Sequence, residues 1–321
     1  MDEDVHVSYI TLGGYVGLEK YSYVYFLIIL TVYILIICFN ATIVWLIVTH
    51  QNLHEPMYIF IAALLINSLL FSSSIYPKLL VDVLSEEQVI SHPMCHFQFF
   101  LCYSLGGSEF LLLSAMAFDR YVSICKPLQH PVIMRKTTVI ALLVLAWFLP
   151  AGQIAGHASL SAQRKLCSFT LKGIFCTNSL FKLHCVSSSV IGTYELIILL
   201  NLALCPFLFI IFTYSKILIV SYRSCGEVRR KAAQTCLPHL LVLLNFCLLG
   251  TYHVLEVRLE SQIPKTAHLI MTLQLILYHP LFNPIIYGLK MKEMYKHLRG
   301  LFVKVKYFYF NTSVLSFLRR R

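Results

Sequence analysis

"SEFLLLSAMAFDRYVSICKPLQHP", residues 108–131, decides how this chain is read. It is an apolar run with one acid inside it, Glu109, and it ends on the adjacent Asp119, Arg120 and Tyr121. Ionisable groups are costly in such a segment, so each needs a partner or a task. Glu109 and Arg120 stand eleven residues apart. That is about three helical turns, so both point from one side of a helix, roughly 16 Å apart along its axis.

The surrounding chain says what kind of helix this is. Of 321 residues, 58% are hydrophobic and only 13% charged, with a mean hydropathy of +0.73. A soluble domain carries about a quarter charged residues. Seven segments, near 23–48, 57–80, 96–124, 138–158, 190–221, 233–256 and 266–288, approach or exceed the ~20 residues that cross a hydrocarbon core. A barrel would instead show short alternating strands. The expected fold is therefore all-α, a seven-transmembrane-helix bundle. Residues 1–22 are expected to form an extracellular tail, 23–288 the seven-helix bundle, and 289–321 a cytosolic amphipathic helix with a basic tail. Asp2, Glu3 and Asp4 leave no basic region ahead of the first span, which reads as a signal anchor.

Charge sets the orientation. With the amino terminus outside, eight lysines and arginines fall on outer segments and sixteen on inner ones, and positive charge belongs inside. The formal net charge of +11 is thus mostly topology, not a nucleic-acid footprint, and the rest faces anionic lipid or a cytosolic partner. The stretch "KMKEMYKHLRGLFVKVKYF" (290–308) alternates basic and apolar residues like a helix lying on the inner leaflet.

Eleven cysteines are present. Cys38, Cys102, Cys125, Cys205, Cys225, Cys236 and Cys247 lie in spans or at their inner ends, while Cys95, Cys167, Cys176 and Cys185 face the oxidising side. Four cysteines allow three pairings, and spacing alone does not choose. His92, Cys95 and His96 in "HPMCH" can be read as metal ligands, but an outer cysteine at a helix start is more often bridged. The long outer loop, 159–189, is expected to fold over the mouth of the bundle. Asn40 and Asn311 start the Asn-x-Ser/Thr patterns, one inside a span and one cytosolic, so neither is a glycosylation site.

No enzyme signature appears: the chain has no His-Glu-x-x-His helix, no Gly-x-Ser-x-Gly elbow and no glycine-rich phosphate loop. His239, His253 and His279 read as isolated structural donors. Polar residues recur instead at the inner halves of spans: Asn40, Ser68, Arg120, Tyr214, His239, Asn283 and Tyr287. They fit either plain interhelical hydrogen bonding or a switchable network. Pro206, Pro238, Pro280 and Pro284 free backbone groups in the fifth to seventh spans and lean towards the switch.

"MAFDRYVSICKPLQH" (116–130), "LHEPMYIFIAALL" (53–65), "KAAQTCLPHL" (231–240) and "PLFNPIIYGLK" (280–290) resemble, in the right order, the span motifs of vertebrate odorant receptors. These are rhodopsin-like G-protein-coupled receptors. "YPKLLVDVL" (76–84) is similar to fish or class I-type members. The resemblance implies a receptor for small odorants in the plasma membrane of olfactory cilia, with a heterotrimeric stimulatory G protein as partner and cyclic AMP as output. It implies disulfides Cys95–Cys176 and Cys167–Cys185. It makes Arg120 the core of the G-protein contact, held at rest by Asp119 beside Tyr121 and turning beneath Tyr214 and Tyr287 on activation. Lys231, Asn283 and Pro284 belong to the same switch. Many rhodopsin-like relatives hold a sodium ion through an aspartate at the position of Ser68, so Glu109, Ser68 and Asn283 become the expected buried centre, neutralised by a cation or a proton. No other cofactor is implied. Departures are Phe39 before Asn40, Cys247 in an aromatic place, and the missing glycosylation pattern in the outer tail.

The ligand is expected among the outer halves of spans three, five, six and seven. Tyr103, Gly106 and Gly107 lie one to two turns outward of Glu109, and Thr251, Val254 and Arg258 share a face of the sixth span with Cys247. Asn201, Leu202, Leu273 and Ser179 complete the set. Arg258 either holds a ligand carboxylate, which makes the odorant an acid, or pairs with Glu256 or Glu260 at the surface. A non-nasal chemoreceptor is the nearest alternative. A channel would need more charge along a path than Glu109 and Glu195 provide.

Overall fold

The computed structural model describes residues 9–162, 164–185, 189–222, 264–291 and 293–301, with the single positions 240, 242 and 303. Six helices in it are apolar and 26 to 34 residues long, hence roughly 40–50 Å at 1.5 Å per residue, more than a ~30 Å hydrocarbon core requires. They are the first (Leu18–Thr49), second (Pro56–Leu84), third (His92–Cys125), fourth (Lys136–Ala162), fifth (Ser189–Tyr222) and seventh (Lys265–Lys290) spans. Of the expected sixth span only Leu240 and Val242 are described, both helical. Lys231, Pro238, Thr251, Val254 and Arg258 therefore lie outside the described residues. A further helical stretch over 293–301 follows the seventh span. It closes tightly: a Cβ on Gly288 would meet Leu298 Cδ1 at 3.0 Å.

The third helix is the hub. It packs on the second, fourth and fifth, while the first and second both pack on the seventh. The second and third are the most enclosed spans, and the others turn more of their surface outward. That outer surface carries Phe148, Phe212, Leu218 and Ile219, an apolar coat that suits hydrocarbon.

Proline explains much of the polar wiring. Pro284 has no N–H to give the carbonyl four residues back, and Asn40 Nδ2 donates to that Pro280 oxygen at 2.7 Å. Pro280 leaves the Ile276 carbonyl in the same position, and the Tyr76 hydroxyl donates to it at 3.4 Å. Two orphaned acceptors of the seventh helix are thus met by the first and second helices. The fifth helix answers its proline differently. Leu200–Leu204 widens into a π-helical turn just before Pro206, which re-phases every residue around it.

One end of the bundle carries a cap that the all-α reading omits. Strands β1 (Tyr9–Leu12), β2 (Val89–Ser91) and β3 (Thr170–Leu171) form a sheet in the order β2-β1-β3, with β2 antiparallel and β3 parallel to β1. The register pairs Ile10 with Ile90 and Leu12 with Leu171, burying all four. Gly14 permits the closest approach, since a Cβ there would lie 2.5 Å from the Gly173 carbonyl carbon. Cys95 is bonded to Cys176 and Cys167 to Cys185, tying the loop to the third helix and to itself. The Tyr15 hydroxyl donates to Asp82, which is also paired with Lys78. Burial first, then the Asp82 charge, holds the Tyr15 phenol far above its ordinary range.

Candidate functional site

A cavity of about 520 Å³ lies beneath this cap. The third helix supplies Phe99, Tyr103, Gly106, Gly107, Glu109 and Phe110; the fifth supplies Glu195, Leu202 and Phe207; the seventh supplies Leu275 and His279. Phe175, Thr177 and Asn178 come from the loop, and the Tyr103 hydroxyl accepts from the Asn178 backbone N–H at 3.0 Å. The two glycines do different work. A Cβ on Gly107 would meet Pro150 and Leu202 at 3.0 Å, so it lets three helices close, whereas at Gly106 a Cβ would enter open space.

Of the expected ligand residues described, Tyr103, Gly106, Gly107 and Leu202 line the cavity. Asn201, Ser179 and Leu273 do not. Asn201 is exposed, because the π turn presents Leu202 and Ala203 inward instead. Ser179 exchanges a hydroxyl bond with Thr177 at 2.7 Å at the start of a loop turn. Leu273 packs among Ile75, Leu79 and Ile276.

The polar part of the wall holds residues that spacing did not bring together. His157 lies with its Nε2 3.4 Å from Glu195 Oε1, edge-on to Phe181 with ring centroids 4.4 Å apart. Glu109 is buried at the cavity's floor, where its Oε1 accepts from Asn283 Nδ2 at 3.2 Å and stands 3.3 Å from His279 Nδ1. His279 is therefore a partner of Glu109, not the isolated donor the sequence suggests. Both pairs were signalled only by being ionisable within apolar runs.

Ser68 is buried in the second helix, and its Oγ has no hydrogen-bond partner. A sodium ion takes oxygen ligands, yet Asn283 turns its nitrogen to Glu109 and His279 occupies the same carboxylate oxygen. No group of three His, Cys, Asp or Glu side chains stands together among the described residues. The contacts of Glu109 tie the third helix to the seventh.

At the far end of the third helix Arg120 Nη2 donates to Asp119 Oδ2 at 3.0 Å. Asp119 is almost fully buried, and its other oxygen meets His130 Nε2 at 2.9 Å. His130 belongs to the turn His130–Ile133 just beyond the helix, so the opening motif folds back on its own acid. Tyr214 and Tyr287 are buried in one hydrophobic core cluster with Leu112 and Met116 of the third helix, and Tyr121 packs against it half-buried.

A membrane bundle with a capped cavity at one end and an acid–arginine pair at the other end of the same helix is the build of a G-protein-coupled receptor. The comparisons with known proteins make this specific. The olfactory receptor family matches residues 29–305, and the chain belongs to that family. Human olfactory receptor 11A1 is 33% identical over 301 residues, covering 92% of this chain and 94% of that receptor. Human olfactory receptors 2T27 and 10AG1 are each 32% identical, covering 90% and 92% of this chain. The family is one of multi-pass membrane receptors, not of enzymes.

Proposed function

We propose that this chain is an odorant receptor in which a small molecule enters the cavity, shifts the third helix against the seventh, and activates a stimulatory G protein at the Asp119–Arg120 end. The carrying observation is that the floor of the cavity is itself the Glu109–His279–Asn283 junction. A ligand that favours one arrangement of that junction has differential affinity for two states, which is what coupling requires. A cavity of about 520 Å³ also falls within the range of small-molecule sites, ~300–1,000 Å³. His279, not sodium, is the reading we favour for the partner of Glu109.

In this proposal the amino terminus and the disulfide cap face outside, where thiols oxidise. The stretch 289–321 is cytosolic, and the receptor works in the cilia of olfactory neurons. The described lining residues include no lysine or arginine. An acidic odorant would accordingly take its counter-charge from Arg258. Cells given the full chain and the olfactory G protein should raise cyclic AMP when an odorant panel is applied. Arg120→Ala should abolish that rise at equal surface expression. Odorant-gated current that persists in Arg120→Ala would overturn the receptor reading in favour of a channel. Acids tested against matching alcohols and esters, on wild type and Arg258→Ala, decide the ligand class.

A further inference from the structure

Histidines gather at the capped end, above the chemistry of the cavity. His92 and His96 begin the third helix four residues apart and so share one face. Their Nε2 atoms are 3.0 Å apart, with the rings edge to face and centroids separated by 4.5 Å. His184 comes from the loop, next to the bridged Cys185. Two nitrogens of this group, His96 Nδ1 and His184 Nε2, are buried without any hydrogen-bond partner.

The close approach of His92 and His96 admits two occupants of the space between their nitrogens. One is a single shared proton. The other is an ion: metal–nitrogen bonds of roughly 2.0–2.1 Å would let one ion reach both atoms with a bite near a right angle. Histidines at i and i+4 on a helix are the spacing used by zinc-binding helices. The scaffold is also rigid. Strand β2 ends at Ser91, directly before His92, and Cys95 between the two histidines is bonded to Cys176. That bond removes Cys95 as a ligand and fixes the helix start to the loop.

We propose that His92 and His96 form a chelating site for a late first-row divalent ion, copper(II) or zinc(II), with His184 as a further imidazole at the same end of the bundle and water completing the shell. Imidazole ligands suit both metals, and copper binds such sites more tightly than zinc. The described residues hold no ready-made group of three ligands, so this is an open, exchangeable chelate and not a closed structural cage. His92 is half-buried, which leaves the ion a route from solvent.

The test is metal titration of the purified full-length receptor, carrying no polyhistidine tag, with copper(II) or zinc(II) chloride. Copper is also followed by electron paramagnetic resonance for nitrogen coupling. One ion per receptor is expected, copper tighter than zinc, with coupling to two nitrogens. His92→Ala and His96→Ala should each weaken binding more than about tenfold. His92→Gln, at the half-buried position, should do the same while leaving the metal-free melting temperature unchanged, which separates ligation from folding. A second close imidazole pair, His50 and His297 with centroids 4.1 Å apart, is the control, and His297→Ala should leave the affinity as it is. Equal binding by wild type and the His92→Ala/His96→Ala double variant overturns the proposal. So does binding lost with His297, or no binding below millimolar metal.

Discussion

The third helix carries two ionisable centres, and they are assembled from opposite kinds of neighbour. Asp119 takes its partners from the adjacent Arg120 and from His130, eleven positions on. Glu109 takes its own from His279 and Asn283, 170 and 174 positions away. The first cluster travels with the end of its helix wherever that helix goes. The second exists only while the seventh helix is docked against the third. Any movement of the seventh helix away from the third would part Glu109 from His279 and Asn283 while leaving the contacts of Asp119 with Arg120 and His130 in place.

The largest expected effect is at the long-range centre. His279→Leu leaves the Glu109 carboxylate buried with one amide, and breaking a buried pair from one side costs about 3–5 kcal/mol. Thermal unfolding of the solubilised receptor should show it. Glu109→Gln/His279→Leu should recover most of the loss, because no buried charge then lacks its partner. A double variant no more stable than His279→Leu would mean the two residues are not coupled. Next comes Asn40→Leu, which orphans the Pro280 carbonyl and should cost about 1–3 kcal/mol. Asn40→Asp keeps the size without the donor and should lose at least as much in the same assay.

The same contrast explains what the sequence made legible. The spans stand out because hydropathy is a local sum, and the Asp119–Arg120 pair because its members are adjacent. Helical phase placed Tyr103, Gly106 and Gly107 on the face that lines the cavity because the third helix is regular through that region. Asn201 does not line it, because the π turn before Pro206 shifts the face. Phase was silent on His279 and His157, whose meaning depends on helices that meet only in the folded bundle. Strand β1 was missed because four residues, "YITL", carry too little pattern to separate a strand from a tail. His130 was quoted within the motif, but only the turn after the helix brings it back to Asp119.

The short-range centre should yield a smaller, functional effect. His130 holds one oxygen of Asp119 and Arg120 the other. His130→Ala frees the acid on one side while the Arg120 contact persists. With His130 about a quarter exposed, the stability change should stay within about 1 kcal/mol. Basal cyclic AMP should nonetheless rise, since the acid that restrains Arg120 is held less firmly. Unchanged basal signal at equal surface expression would make His130 a bystander.

The smallest effect tests the π turn, where neighbours in sequence take opposite sides. Leu202 lines the cavity and touches the close approach at Gly107, while Asn201 points outward. Leu202→Ala removes part of the wall and should shift the half-maximal odorant concentration. Asn201→Ala should leave it unchanged to within about twofold, as surface changes away from special features do. If the two responses were exchanged, the fifth helix would run regularly through Leu200–Leu204, and the face expected from plain helical phase would be the one that meets the ligand.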